Sequence, residues 1–494
     1  MNISQIINSS IISKNNFSPN GQYLLVPKGK SLILYSLNPD IKKLNKIIFN
    51  TNINYIEFSP SSLYYLVLLL KVQECLIKSV SKNDFEIKIT EPLYGIKSAM
   101  WSSNDMHILI ALNSYNSLHI FSTKDEYENI EEELDSNNNI SKYNKNFKFI
   151  ISNIKYQNLS QGVSFSYNGG DFLAIIIRKQ IKDWIEIYDT NIYSLTSSFV
   201  ISSINTENIF WSKDNTFILV QENNYYDSKL FIYSLSGNLI SILEPYKNYP
   251  GIIKFNISPN GHYLTASYYD NIIRLYHYLS FKSCKELNPN NLLISNNNNK
   301  NKNFIFEKTV ILVENSRKDD INFQHLFGKE KELFNLDKTF PKKNITTSNN
   351  ILNDYINNFS YSFNSQYLAF VSSKFPQIIL IYDITAFKLS FLLVFESNVI
   401  NFAWSPSSIQ LVICSETENK IYFFMPQRVK AFKLPIADNE KNKENNNNSI
   451  ISNNINNNKE SKYEKNIYYS SDGKRVLFKT SKFTFFLIEP GLEI

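Results

Sequence analysis

Phe17-Ser18-Pro19-Asn20-Gly21-Gln22-Tyr23-Leu24 is the stretch that decides the fold. An aromatic residue and a serine lead into Pro-Asn-Gly, which reverses the chain, and a second aromatic residue opens the apolar run Leu24-Leu25-Val26. Gly29 turns the chain again before Ser31-Leu32-Ile33-Leu34-Tyr35. Turn, strand, turn and strand in close succession predict an antiparallel meander.

The signature recurs. Further copies begin at Phe58-Ser59-Pro60, Trp101-Ser102, Phe165-Ser166, Trp211-Ser212, Ile257-Ser258-Pro259, Tyr361-Ser362, Trp404-Ser405-Pro406 and Tyr469-Ser470, nine units in all. The intervals between them are 41, 43, 64, 46, 46, 104, 43 and 65 residues, so five of the eight match the ~40–45 residues of a propeller blade. Each longer interval holds an Asn/Lys-rich tract: Ser136 to Asn146, Asn296 to Asn303, and Lys441 to Asn458. Such polar runs bury too little apolar surface to offset the entropy of ordering and are expected to be loops. Residues 1–289 thus carry the first six units with an insert at about 125–147, 290–357 form a low-complexity insertion with possible strand segments, and 358–494 carry the last three with an insert at about 438–465.

The closing strands of several units end alike, as in Trp184-Ile185-Glu186-Ile187-Tyr188-Asp189 and Ile378-Ile379-Leu380-Ile381-Tyr382-Asp383. Tyr-Asp stands where WD repeats carry Trp-Asp, which makes these degenerate WD repeats. Leu173 to Ile177 is apolar at every position, as expected of a strand covered on both faces. The predicted fold is an all-β, WD40-like β-propeller of about nine degenerate blades. A seven-bladed ring with extra blades, or two smaller propellers, is the alternative. Closure is expected to pair Ile6 to Ile12 with the last blade, Arg475 to Ile488.

Composition narrows the function. Lys and Arg number 51 against 45 acidic residues, a charge of +6 with no basic groove interleaved with aromatics, so no nucleic acid is expected as partner. Leu63 to Leu70, the longest apolar run, falls far short of the ~20 residues of a membrane helix, and the start lacks the features of a signal peptide. Cys75, Cys284 and Cys414 are too dispersed for a disulfide framework or a zinc module, and a reducing compartment fits them best.

No phosphate-cradling or nucleophile-elbow motif occurs, and only 12 glycines are present. His107, His119, His262, His277 and His325 fall in different units, and Glu126 to Asp135 reads as a solvated loop. No catalytic residue, cofactor or metal ligand is therefore expected. Trp101, Trp211 and Trp404 share one repeat position and should be core, and Trp184 is expected to pack in an inner strand. Arg178, Lys179 and Lys182 form a small basic cluster, either a partner-docking turn or a solvated hairpin tip.

Four stretches carry a more specific resemblance. They are Met1-Asn2 with Phe17 to Leu24; Lys88-Ile89-Thr90-Glu91 with Gly95 and Trp101-Ser102; Arg178-Lys179-Gln180-Ile181-Lys182-Asp183-Trp184; and Leu230 to Gly237 through Glu244-Pro245-Tyr246, Gly251-Ile252 and Ser258-Pro259. The chain resembles the centrosomal and spindle-pole WD-repeat family known as WD repeat-containing protein eight, encoded antisense to a p53-like gene. The likeness runs over Asn2 to about Pro289 and again from about Asn358 to Glu489. It implies a non-enzymatic scaffold of the cytoplasm and cytoskeleton, at the microtubule-organising centre and spindle pole. It further implies a coiled-coil anchoring partner, a minus-end kinesin in fungi, and a part in microtubule anchoring and spindle organisation in mitosis. The Asn-rich inserts and Phe58, where tryptophan is usual, depart from the family.

The alternative is a propeller-type translation initiation factor binding the ribosome. It predicts a charged helical tail, whereas only Glu489 to Ile494 follow the last strand signal. A propeller capping a hydrolase predicts a catalytic α/β segment, for which the sequence has no motif.

Overall fold

The structure is a computed structural model. It describes residues 2–8, 16–82, 84–123, 147–203, 205–222, 228–244, 251–293, 309–317, 320–326, 355–356, 358–416, 420–426, 428–433, 466–479 and 484–489. The tracts at Ser136 to Asn146, Asn296 to Asn303 and Lys441 to Asn458, and the acidic run Glu126 to Asp135, lie outside the described residues.

Each repeat unit folds into its own antiparallel sheet, nine in all among the described residues. The chain divides into two compact units, Ser9–Gly251 and Met1–Asn8 with Ile252–Ile494. In the former, sheet one is Tyr23–Lys28, Ser31–Ser36 and Lys42–Ile48, with Phe17 bridged to Leu24. Sheet two is Tyr55–Phe58, Tyr64–Leu69, Glu74–Ser79 and Glu86–Thr90, and sheet three is Ile96–Trp101, His107–Leu112, Ser117–Ser122 and Phe147–Ser152. Sheet four is Val163–Phe165, Phe172–Lys179, Lys182–Asp189 and Leu195–Val200; sheet five is Thr206–Trp211, Phe217–Glu222, Leu230–Ser234 and Leu239–Leu243.

In the second unit, sheet six is Ile252–Ile257, Tyr263–Tyr268, Ile273–His277 and Ser283–Leu287. Sheet seven is built on Asn358–Tyr361, Tyr367–Val371, Ile378–Asp383 and Lys388–Val394, and sheet eight on Val399–Trp404, Leu411–Ser415, Lys420–Met425 and Arg428–Lys433. Sheet nine joins Ile467–Tyr469, Val476–Lys479 and Thr484–Glu489 to Asn2–Asn8, so the start of the chain completes the sheet made by its end. The pairing strand is Asn2–Asn8 rather than the expected Ile6 to Ile12, in a register that sets Asn2 opposite Glu489 and Asn8 opposite Thr484.

Burial follows strand order. The two central strands of sheet three are buried throughout, while fourth strands such as Lys42–Ile48 and Ser283–Leu287 are largely exposed. The all-apolar run in sheet four resolves into two faces, as strand periodicity requires. Leu173, Ile175 and Ile177 pack on Leu109, Ala111 and Ile120 of sheet three, and Ala174 and Ile176 pack on Trp211, Ile218 and Val220 of sheet five. Each such side chain contributes ~1.5–3 kcal/mol when fully buried, and a lone sheet can cover only one face. Stacking neighbours is therefore what holds each repeat together.

Trp101, Trp211 and Trp404 are buried at equivalent positions in first strands. Trp184 lies half-buried in the third strand of sheet four, packed against the core that sheet shares with sheet three and beneath the ammonium of Lys179. The closing tyrosines Tyr35, Tyr188, Tyr233, Tyr276 and Tyr382 each stand at a β-bulge between third and fourth strands. A bulge adds local twist, so each sheet bends at its closing aromatic residue.

The stretch 290–357 contains the short helix Pro289–Leu293, which begins one residue before it, and a hairpin of Val310–Arg317 and Asp320–Leu326. Val310–Arg317 adds to the outer strand of sheet seven in parallel, Val310 opposite Phe391 and Val313 opposite Val394. This is the one parallel pairing among the described strands, and it makes a six-stranded sheet.

Candidate protein-interaction site

The serine of each repeat turn is a structural clasp. Ser18, Ser102, Ser258, Ser362 and Ser470 each donate their Oγ hydrogen to an Asn or Asp two residues on, and accept the N–H five residues on at 2.8–3.0 Å. The residue three places after the serine takes a positive φ: Gly21, Ser62, Asp105, Asn215, Gly261 and Ser365 all do. Where that residue has a polar side chain, it caps the preceding sheet's turn. Ser62 Oγ accepts from Asn20 N–H at 3.0 Å, Asp105 from Ser61 at 2.8 Å, Asn215 from Tyr167 at 2.8 Å and Ser365 from Asn260 at 2.8 Å. These caps link the turns of sheets one and two, two and three, four and five, and six and seven.

The first strands are joined similarly. Three residues before the residue that opens the repeat signature stand Lys254, Asn358, Asn401 and Asn466; Asn358 donates to Asn401 Oδ1 at 3.1 Å and Asn401 to Asn466 Oδ1 at 3.4 Å. Lys254 lies over the Phe359 ring at 5.4 Å, and burial lowers its affinity for the proton. Glu57, in the first strand of sheet two, accepts the Trp101 N–H at 3.2 Å; burial pushes its carboxyl up to about 7 against that hydrogen bond.

The predicted basic turn joins the second and third strands of sheet four. Arg178 pairs with Asp183 at 2.7 Å and Lys179 with Glu186 at 2.5 Å. Asp183 also receives Lys155 at 2.8 Å and the Thr206 N–H at 3.1 Å. Burial alone raises its proton affinity, but these donors outweigh burial and hold the carboxyl below its usual range. Two of the three cations are thus engaged within the sheet, while Lys182 and Ile181, 94% exposed, form the outward tip. Gln180 and Ile181 both adopt positive φ there, the geometry of a tight hairpin turn and an unusual one for a β-branched residue.

Among relatives of known sequence, the mouse WD repeat-containing protein WRAP73 is 24% identical over 440 residues, covering 85% of this chain and 86% of that protein. The chain is a WD-repeat protein. An uncharacterized WD repeat-containing protein of Schizosaccharomyces pombe matches this WD-repeat protein at 23% identity, over 49% of the chain and 46% of the relative. Among solved structures, the crystal structure of a eukaryotic initiation factor superposes with a TM-score of 0.53 at 13% identity, covering 86% of this chain and 90% of that one. That likeness is of fold, a WD40-type β-propeller. No protein-family model matches the chain.

One groove, which sequence reading missed, lies between sheets one and two of this WD-repeat protein. It holds about 260 Å³ beside the end of strand Lys42–Ile48, with Ile47, Phe49, Leu69 and Leu76 among its lining and Glu74, Lys78, Glu86 and Lys88 at its rim. The rim charges neutralise one another: Lys78 pairs with Glu86, and Lys88 with Glu74 at 2.6 Å. The volume falls below the ~300–1,000 Å³ of small-molecule pockets and suits protruding side chains. Among the described residues no group of His, Cys, Asp and Glu is placed to hold a metal ion, and no helix is long and apolar enough to cross a membrane. Cys75 and Cys414 are buried and Cys284 is exposed; burial pushes the Cys75 thiol up, away from the thiolate that reactivity requires.

Proposed function

We propose that this WD-repeat protein is a non-enzymatic scaffold of the cytoplasm and cytoskeleton. It acts at the microtubule-organising centre and spindle pole, where it binds a coiled-coil anchoring partner to support minus-end anchoring and spindle organisation. A minus-end kinesin is a further partner of the assembly. The observation that carries this reading is the extent of likeness to WRAP73, which spans 85% of this chain and 86% of that protein. The geometry supports it in kind. Turns clasped by serines and capped by the next sheet hold side chains on rigid mounts, as repeat proteins present partner surfaces. The likeness to the initiation factor is of fold alone and lends the ribosome-binding alternative no residue-level support.

The test is live imaging of the tagged full chain through mitosis, with a parallel sucrose-gradient sedimentation. Accumulation at spindle poles with no ribosome co-sedimentation is the expected result. Co-sedimentation with ribosomal subunits and a diffuse mitotic signal overturns the reading.

A further inference from the structure

The outer strands of the nine sheets sort by charge. Those of sheets one, two, three, six and eight all carry Lys, Arg or Glu, as Ser283–Leu287 carries Lys285 and Glu286. Charges of this kind keep stray strands from pairing. The outer strands of sheets seven and nine, Lys388–Val394 and Thr484–Glu489, are mainly apolar with one charge at an end, and each is paired on its outer side by a distant segment of the chain.

Sheets four and five differ from both groups. Leu195–Val200 and Leu239–Leu243 hold no charged residue, and among the described residues no strand pairs with the outer side of either. The two strands adjoin: Ser197 Oγ donates to Leu235 O at 2.8 Å, and Gly237 leaves no room for a Cβ against Phe199. The sheet-five strand, Leu-Ile-Ser-Ile-Leu, is the more apolar, with Leu239, Ile240 and Ile242 43%, 50% and 41% exposed. Residues 239–243 make no hydrogen bond beyond their pairing with Leu230–Ser234. Lys229 and Glu244, at the end of this edge, pair with each other at 3.2 Å.

Sheet seven shows what such an edge holds. Its fourth strand carries the same bulge as that of sheet five: Ile381 and Tyr382 stand opposite Phe391 and Leu389, as Ile232 and Tyr233 stand opposite Ser241 and Leu239. Ser241, Ile242 and Leu243 therefore correspond to Phe391, Leu392 and Leu393. In sheet seven those three pair in parallel with Val310, Ile311 and Leu312, so the added strand lies beyond the bulge and is not obstructed by it. Leu392 is fully buried beneath that strand, whereas Ile242 at the equivalent place is open to solvent.

We propose that the Ser241–Leu243 edge accepts an uncharged, β-branched, extended segment of a protein partner by strand addition, as sheet seven accepts Val310 to Val313. The segment's backbone takes up the unpaired edge groups, and its apolar side chains cover Ile242. A charged segment is disfavoured because neither adjoining outer strand offers a counter-charge for the hydration it would lose. This deepens the scaffold reading and rests on it.

The test uses the full chain and three fluorescein-labelled decapeptides, read by fluorescence anisotropy. One alternates threonine with valine, one alternates lysine with valine, and one is the threonine-valine peptide with every backbone nitrogen methylated, which removes the donors strand pairing needs. The first is expected to bind and the other two not. Hydrogen exchange read by mass spectrometry should show residues 239–243 gaining protection with the first peptide while residues 283–287 do not. The I240K/I242K variant, whose lysines stand at solvent-exposed positions, should keep its melting temperature and bind about tenfold more weakly or worse. Equal binding of the methylated peptide overturns strand addition, and protection gained only elsewhere, or full binding by the variant, overturns the site. Dimerisation of the chain alone that the same two substitutions abolish assigns the edge to a second copy and overturns the partner. Loss of peptide binding with spindle-pole accumulation retained separates failure of this edge from failure of the scaffold reading.

Discussion

Glu314→Ala probes how the inserted hairpin is held to the second unit. The Glu314 side chain is 1% exposed and that of Lys420 5%, and Glu314 also accepts the Glu396 N–H at 3.0 Å. At 3.4 Å and an effective dielectric of about 20, the ion pair's attraction is ~5 kcal/mol, and removing two charges from water costs several kcal/mol for each. The intact pair therefore nets little. Removing only the carboxylate leaves a buried ammonium deprived of its counter-charge and is expected to cost ~3–5 kcal/mol. The double substitution E314L/K420M removes both charges and should recover most of that loss. Urea unfolding of the full chain gives the stability, and hydrogen exchange read by mass spectrometry localises it. Val310–Arg317 and Lys388–Val394 should lose protection together in Glu314→Ala and regain it in the double variant. A single-variant cost below ~1 kcal/mol, or a double variant no better than the single, would refute the reasoning.

Asn215→Gly keeps the positive φ but removes the side chain that accepts from Tyr167 N–H and donates to Tyr167 O at 2.9 Å, so a loss of about 1 kcal/mol in chemical denaturation is expected, with Asn215→Asp intermediate. Burial raises the Glu57 carboxyl from an ordinary 4.5 to about 7, so the folded state holds this proton more tightly than the unfolded one; the contribution is fully present below pH 4.5 and lost as pH rises through about 7. Glu57→Gln, which still accepts from Trp101, should flatten that fall, gaining ~3 kcal/mol on the native protein between pH 4.5 and 8 in paired pH-dependent melts. A parallel fall in both proteins assigns the effect elsewhere. At the basic turn, Lys182→Glu should leave the melting temperature unchanged, whereas Asp183→Ala should lower it by withdrawing the partner of Lys155 and Arg178.

Much of the fold is legible in the sequence because each repeat announces itself locally. Phe17 to Leu24 carries its own turn residues, and the eight further copies do so at spacings that only stacked sheets explain. Leu173 to Ile177 is legible for the same reason: a strand with no polar face needs two neighbours. What connects one repeat to the next is harder to read. Asp105 and Asn215 look like ordinary turn residues, and their caps on Ser61 and Tyr167 exist only once adjacent sheets stand side by side. Val310–Arg317 is apolar enough to be a strand, yet its parallel partner lies far along the chain and no local signal names it. The basic turn illustrates a signal present but unused. Gln180-Ile181 fixes the hairpin register, which sets Arg178 across from Asp183 and marks that cation as engaged. The groove beside Ile48 is assembled from two sheets, so nothing in either stretch alone reveals it.

The scaffold account is tested most directly by proximity labelling from the full chain in dividing cells. It predicts enrichment of coiled-coil spindle-pole proteins in mitosis, diminished when the labelled chain carries substitutions that unfold the WD-repeat sheets, such as Trp211→Ala. Labelling dominated by ribosomal proteins, with spindle-pole coiled-coil proteins at background, would contradict it.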